Sequence, residues 1–213
     1  MKSKLAVVAM VLALVPLAAQ ADTIRYTYLG LGFATLNDPP KTRLGADTAY
    51  ELYGSYALPN NFVVGGQYEH EKANINLLPS PWVDNLSRAY YLAGVGYRIP
   101  FTSRLIPFAS SLELVPSLYY QSIDGHVTST SGKTSQSDSG YEADFLLRAM
   151  VMQKLEADAE YAFIHAGGAT NRYSVAGYYD FLSNMAVGLR YDTADSADVI
   201  TNSWTLTFRY YFH

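Results

Sequence analysis

Histidines and carboxylates are the residues of this chain best suited to moving protons or holding ions. Only four histidines are present, His70, His126, His165 and His213. His70 stands between Glu69 and Glu71. An imidazole beside carboxylates can serve as a general base near neutral pH. Asp192, Asp195 and Asp198 form an acidic run whose spacing can hold calcium. That run lacks the glycine and the fixed bidentate glutamate of a dedicated calcium loop, so a solvated loop is the plainer reading. There are no cysteines, which excludes disulfides and thiolate metal centres. No glycine-rich phosphate loop and no nucleophile–base pair stands out. The sequence therefore assigns no catalytic residue, no metal ligand and no cofactor.

A larger set of charges recurs at period two. Glu51, Glu69, Arg88, Arg98, Glu113, Glu142, Asp144, Arg148, Asp158, Glu160, Arg190 and Arg209 all fall on the polar side of alternating segments. Side chains of a strand point alternately to opposite faces. These residues are therefore expected to share one interior, with arginines countering the acidic segments. Two outcomes fit such an interior. One is a packed, salt-bridged core, because an unpaired buried charge is costly. The other is a narrow water-filled pore with charge selectivity.

The elements that must position these charges are strands. After Ala21 no stretch is long and apolar enough for a membrane helix. Instead, segments of about ten residues alternate in polarity between turn-forming clusters, as in a transmembrane barrel. They cover residues 23–36, 48–58, 62–71, 87–99, 112–122, 141–153, 157–165, 172–181, 185–192 and 201–212. The predicted fold is all-β, a closed antiparallel barrel of ten strands. The alternative is eight strands, with irregular chain near residues 100–111.

Connections alternate in kind. Tight turns at Pro59-Asn60-Asn61, Lys154-Leu155-Glu156 and Leu182-Ser183-Asn184, with a somewhat longer link at 100–104, lie at one end. Longer or Gly/Ser/Asp-rich links at 37–47, 72–86, 123–140, 166–171 and 193–200 lie at the other. The second of these carries Ile75, Leu77, Leu78 and Trp82, a candidate contact surface. The third is nearly all Ser, Thr, Gly, Asp and Lys from residue 125 to 140, which predicts a flexible solvated loop. Within the first segment the face is ambiguous, because Leu29, Leu31 and Phe33 share parity with Arg25 and Thr27.

Tyrosine is abundant, 19 residues beside 9 Phe and 2 Trp. The aromatics sort by height. Tyr56, Phe62, Tyr97, Tyr179, Phe181, Tyr210 and Phe212 sit near the tight turns. Tyr50, Tyr68, Tyr120, Tyr141, Phe163, Tyr173, Tyr191 and Trp204 sit near the longer links. Two aromatic girdles bracketing an apolar band are what a bilayer demands. A water-soluble sandwich has no use for them.

The N-terminus reads as a leader over residues 1–21: Lys2 and Lys4, an apolar run from Leu5 to Ala19, then the small-x-small sequence Ala19-Gln20-Ala21. The barrel domain then covers 22–213. Losing the leader removes two of the 15 basic residues and none of the 19 acids. An acidic chain of this kind argues against nucleic acid as a partner.

Tyr53-Gly54-Ser55-Tyr56, Pro59-Asn60-Asn61-Phe62, Gly65-Gly66-Gln67-Tyr68, Ala93-Gly94-Val95-Gly96-Tyr97 and the aromatic ending from Phe208 to Phe212 resemble the small bacterial outer-membrane β-barrels of the opacity-porin-like superfamily. The resemblance spans residues 22–213. It implies a Gram-negative outer-membrane location reached through the periplasm. It also implies contact with membrane lipids including lipopolysaccharide, and a last strand read by the barrel-assembly machinery through Trp204, Phe208, Tyr210 and Phe212. The chain departs from that signal in ending on His213 and in carrying Thr207 where a glycine is usual.

Two enzymatic barrel types bear on the histidines. Omptin-type proteases also have ten strands and a rim histidine, but a much taller outer part. Lipid A deacylases carry His-x-Ser-Asn, where this chain reads His165-Ala166-Gly167-Gly168. The plainer role of His70 and His165 is contact with lipid headgroups. The leading expectation is a non-enzymatic barrel with a structural or surface-interaction role. A narrow channel for small solutes is second, and a rim-located lipid- or peptide-modifying enzyme third.

Overall fold

The computed structural model describes residues 24–37, 47–73, 85–101, 109–129, 132–166, 168–196 and 199–212. The leader at 1–21, the apolar positions Ile75, Leu77, Leu78 and Trp82, and Asp198 lie outside the described residues.

Eleven antiparallel strands form one sheet: β1 (Tyr28–Asn37), β2 (Asp47–Ala57), β3 (Phe62–Ala73), β4 (Asn85–Tyr97), β5 (Ile99–Phe101), β6 (Ser111–Ser129), β7 (Gly132–Met152), β8 (Leu155–His165), β9 (Ala169–Leu182), β10 (Met185–Ser196) and β11 (Val199–Tyr211). β1 pairs with β11, and β4 pairs with β6. The ring is therefore a closed barrel of ten strands. β5 is an extra three-residue strand against the turn end of β6. It occupies the stretch where alternation is poor, because Pro100 lacks an N–H and limits what can pair there.

Alternation of side chains fixes which face is which. On β11, Trp204, Leu206, Phe208 and Tyr210 are exposed, while Thr205, Thr207, Arg209 and Tyr211 are buried. On β9, Tyr173, Val175, Tyr179 and Phe181 are exposed, opposite buried Ser174 and Tyr178. The exposed set is apolar, the reverse of a water-soluble protein, and matches a barrel whose solvent is lipid. Outward aromatics of neighbouring strands meet in two belts. Tyr50–Tyr68, Tyr68–Tyr91, Tyr161–Tyr173 and Tyr191–Trp204 meet near the loop end. Phe62 and Tyr97 meet near the turn end, where Tyr210 also packs on Phe212, two residues further along the same chain end.

The turn at Pro59–Asn61 is a 3-10 turn in which Asn60 and Asn61 take φ of 60° and 65°. Asparagine tolerates this left-handed region better than most residues do.

Three features differ from expectation. Residues 125–129 and 132–140 are strand rather than loop. β6 and β7 continue in register as far as Ser129↔Gly132, forming a hairpin well beyond Tyr120↔Tyr141. Polarity alternates only where lipid meets one face and lumen the other, so a hairpin wetted on both sides reads as a polar loop. For the same reason β9 starts at Ala169 and β10 and β11 reach Ser196 and Val199, well inside the two links expected at 166–171 and 193–200. Finally, the ambiguity of the first segment is resolved by where the ladder begins. Residues 24–27 precede it, so Arg25 is free to turn inward to Asp180 although it shares parity with Leu29, Leu31 and Phe33. Ile24 and Tyr26 are buried, while Leu31 and Phe33 are exposed.

Candidate functional site: the barrel lumen

The lumen is built by inward positions of every barrel strand, and it stacks in three levels. At the turn end, Ile24 and Tyr26 pack against Val63, Val115 and Met150. The Tyr26 ring lies between Arg98 and Arg148, each 4.4 Å from its centroid. Arg98 makes paired 3.0 Å hydrogen bonds to Glu113. The pre-strand segment thus forms an apolar and aromatic floor.

Above it, Glu156 accepts from Arg148 at 2.6 Å and from Arg209 at 2.7 Å. Arg209 also reaches Asp158 at 3.3 Å. All four of these side chains are buried. Arg209 lies 3.4 Å from the Tyr178 ring centroid and 4.7 Å from that of Tyr28. Such contacts strengthen when water is excluded. Glycines make room for these rings. A Cβ on Gly30 would stand 2.3 Å from the Tyr53 ring, and one on Gly188 2.3 Å from Tyr178.

The loop-end level is dominated by carboxylates. Arg190 donates to Glu51 at 2.9 and 3.1 Å and to Asp192 at 2.8 Å. Arg172 donates to Glu142 at 2.6 Å and Glu160 at 2.8 Å. Gln67 donates to Glu51 and Glu69, each at 3.2 Å. Tyr90 donates to Glu71 at 3.0 Å. Below this level acids and arginines balance: Glu113, Glu156, Asp158 and Asp180 face Arg25, Arg98, Arg148 and Arg209. At this level Glu51, Glu69, Glu142, Asp144, Glu160 and Asp192 meet Arg172 and Arg190, with Glu71 and Arg88 paired across β3 and β4 nearer the rim. A cavity of about 130 Å³ remains between the levels, lined among others by Tyr53, Gln67, Tyr119, Asp144 and Arg172.

The twelve predicted interior charges all occupy inward positions of the ladder or, for Arg98, the link that follows β4; Arg88 stands exposed towards the rim. Six further charges belong to the network: Glu71, Asp180 and Asp192, with Arg25, Glu156 and Arg172. The turn expected at 154–156 closes two residues earlier, at Lys154, and β8 starts at Leu155, which puts Glu156 on the ladder. Its parity with Asp158 and Glu160 was the available signal. Arg172 shares parity with Ser174 and Tyr178 and was passed over at a segment boundary. Asp180 lies on the polar face of the 172–181 segment, whereas its partner Arg25 lies in the pre-strand segment, where its parity fails.

Three histidines lie among the described residues, His70, His126 and His165. Glu69 and Glu71 point inward, whereas His70 lies outside, its ring 5.1 Å from Tyr50. His165 stacks on Tyr141 at 5.3 Å. His126 meets Ser135 at 2.9 Å on the exposed hairpin. Of the residues expected to form the assembly signal, Trp204, Phe208 and Tyr210 face outward along the last strand, and Phe212 packs on Tyr210 just after it.

No protein-family model matches the chain, and no curated protein matches it. Solved structures do. The transport unit of the autotransporter AIDA-I from Escherichia coli is 11% identical, with TM-score 0.51 over 99% of this chain and 98% of that one. The translocator domain of the autotransporter NalP from Neisseria meningitidis is 10% identical, with TM-score 0.50 over 99% and 94%. Ail, the attachment invasion locus protein of Yersinia pestis, is 13% identical, with TM-score 0.42 over 88% and 99%. At such identities the likeness is one of fold. The chain is a bacterial outer-membrane type of β-barrel.

Proposed function

We propose that this barrel is a non-enzymatic outer-membrane protein that presents its β6–β7 hairpin to partners at the cell surface. The carrying observation is the hairpin's edge. β8 pairs with β7 only from Tyr141↔His165 downward. Among the described residues, no strand pairs with residues 132–140 on that side. An exposed strand edge offers unpaired backbone N–H and C=O groups to an incoming strand. Its side chains are small and polar, which keeps the edge soluble until a partner arrives. The girdle tyrosines Tyr120 and Tyr141 mark the membrane boundary below it.

The floor at Tyr26 and the Arg148–Glu156–Arg209 cluster favour this reading over a channel. A solute would have to displace buried, charge-assisted hydrogen bonds that cost several kcal/mol to break, about 3–5 for one pair. The orientation puts the turn end in the periplasm, with lipopolysaccharide around the loop-end girdle. Trp204, Phe208, Tyr210 and Phe212 would serve the assembly machinery.

The test compares cells displaying the full barrel with cells displaying one lacking residues 124–138, scored for adhesion to a serum-coated surface. Adhesion should fall with the deletion. Equal adhesion would remove the hairpin from the role. In planar bilayers the full chain should give no discrete openings; steady, charge-selective conductance would favour the channel instead.

A further inference from the structure

We infer that Glu142, Asp144 and Glu160 bind a calcium-sized divalent cation inside the loop-end half of the lumen. Glu142 and Asp144 are alternate residues of β7, and Glu160 stands on the adjacent strand β8. All three therefore face inward together. One ligand oxygen from each can be chosen so that all lie within 4.8 Å of one another. Calcium takes oxygen ligands at about 2.3–2.6 Å, so two of its ligands stand at most about 5 Å apart. Magnesium, at about 2.0–2.1 Å, would demand a tighter set.

Two buried atoms ask for a partner. Glu142 is fully buried and Asp144 is 8% exposed. Glu142 Oε2 and Asp144 Oδ1 have no hydrogen-bond partner. A buried carboxylate oxygen left bare is costly, and this lumen has no spare arginine for it among those described. Arg172 is already committed to Glu142 Oε1 and Glu160 Oε1. Arg190 is committed to Glu51 and Asp192, and Arg148 and Arg209 to Glu156 and Asp158. Arg172 thus holds Glu142 and Glu160 by one oxygen each and leaves Glu142 Oε2, beside Asp144 Oδ1, for an ion. Asp144 and Glu160 also line the central cavity, which leaves room for the waters that complete a calcium shell.

The ion would do for the upper lumen what arginines do for the lower. It would neutralise an acidic excess and tie β7 to β8 below the base of the projecting hairpin. The inference is independent of what the hairpin binds.

The experiment uses the full barrel, refolded in detergent without lipopolysaccharide and washed with chelator. Terbium is titrated with excitation of tyrosine, since Tyr119 is the cross-strand partner of Glu142, and calcium is then added as competitor. One saturable, calcium-displaceable site per chain is expected. Glu142→Gln and Asp144→Asn should each weaken it by at least about tenfold. Asp195→Asn, in the exposed acidic run, should leave it unchanged. No saturable emission from the folded chain, equal affinity in both lumen variants, or loss in Asp195→Asn alone would overturn the assignment. Heat unfolding of the unmutated barrel, read by its gel mobility shift, needs no variant. Its midpoint should rise with calcium, and a flat response would mean that protons, not a cation, neutralise these carboxylates.

Discussion

The guanidinium of Arg209 lies 3.4 Å from the centroid of the Tyr178 ring, and the same group donates to Glu156 at 2.7 Å. One inward residue of the last strand thereby joins β8 and β9 across the lumen. The arrangement gives Arg209 a structural weight that its neighbours on the outer face do not have. Replacing Arg209 by Ala leaves Arg148 alone to face the two buried carboxylates Glu156 and Asp158, and should lower stability by about 3–5 kcal/mol. Urea unfolding in lipid vesicles, followed by tyrosine and tryptophan fluorescence, measures it. A loss under about 1 kcal/mol, the range of exposed pairs, would mean that the cluster is hydrated rather than packed.

Gly30 and Gly188 test how tightly the lumen is filled. A methyl group at either position would overlap the Tyr53 or Tyr178 ring. Gly30→Ala and Gly188→Ala should each cost about 1–3 kcal/mol by overpacking. Gly177→Ala is the control, because its added carbon meets nothing within 4 Å. The same unfolding assay should find Gly177→Ala close to the unmutated chain and the other two clearly below it.

The lipid face makes an opposite demand. Leu189 and Leu206 are register partners on the outer surface and about half exposed, 51% and 45%. In water, Leu189→Arg would be harmless or even helpful. In a bilayer it should cost about 2–4 kcal/mol near the midplane. The comparison is therefore between vesicles and a thin detergent micelle. A penalty in vesicles alone would be the membrane's signature, and none in either would contradict the lipid assignment.

Much of this fold is legible in the sequence, for a physical reason. Between the girdles each strand separates lipid from lumen, and the resulting alternation is written most plainly in β9 and β11. Where that boundary ends, so does the signal. Residues 123–129 and 132–140 form strands, yet water wets both faces and Ser, Thr and Gly suffice. The pre-strand segment fails in the opposite way. Arg25 and Tyr26 both contact lumen groups, Arg25 reaching Asp180 and Tyr26 lying between two arginines. Adjacent residues cannot do this on a paired strand. The interior charges were found by parity, but their pairing was not. Arg148 meets Glu156 across the β7–β8 hairpin, but Arg209 reaches the same carboxylate from β11, a fact of ring closure that no local pattern carries.

Closure between the first and last strands is what makes an inside and an outside, and it admits a direct test. The chain has no cysteine, so an introduced pair reports cleanly. Phe33 and Leu206 are register partners across β1 and β11 on the outer face. A barrel carrying Phe33→Cys and Leu206→Cys, oxidised after refolding in vesicles, should form an intramolecular cross-link that reduction removes. Phe33→Cys with Thr207→Cys, one residue out of register and on the opposite face, should not. Cross-links only between two chains, or the same yield from both pairs, would contradict the closed barrel.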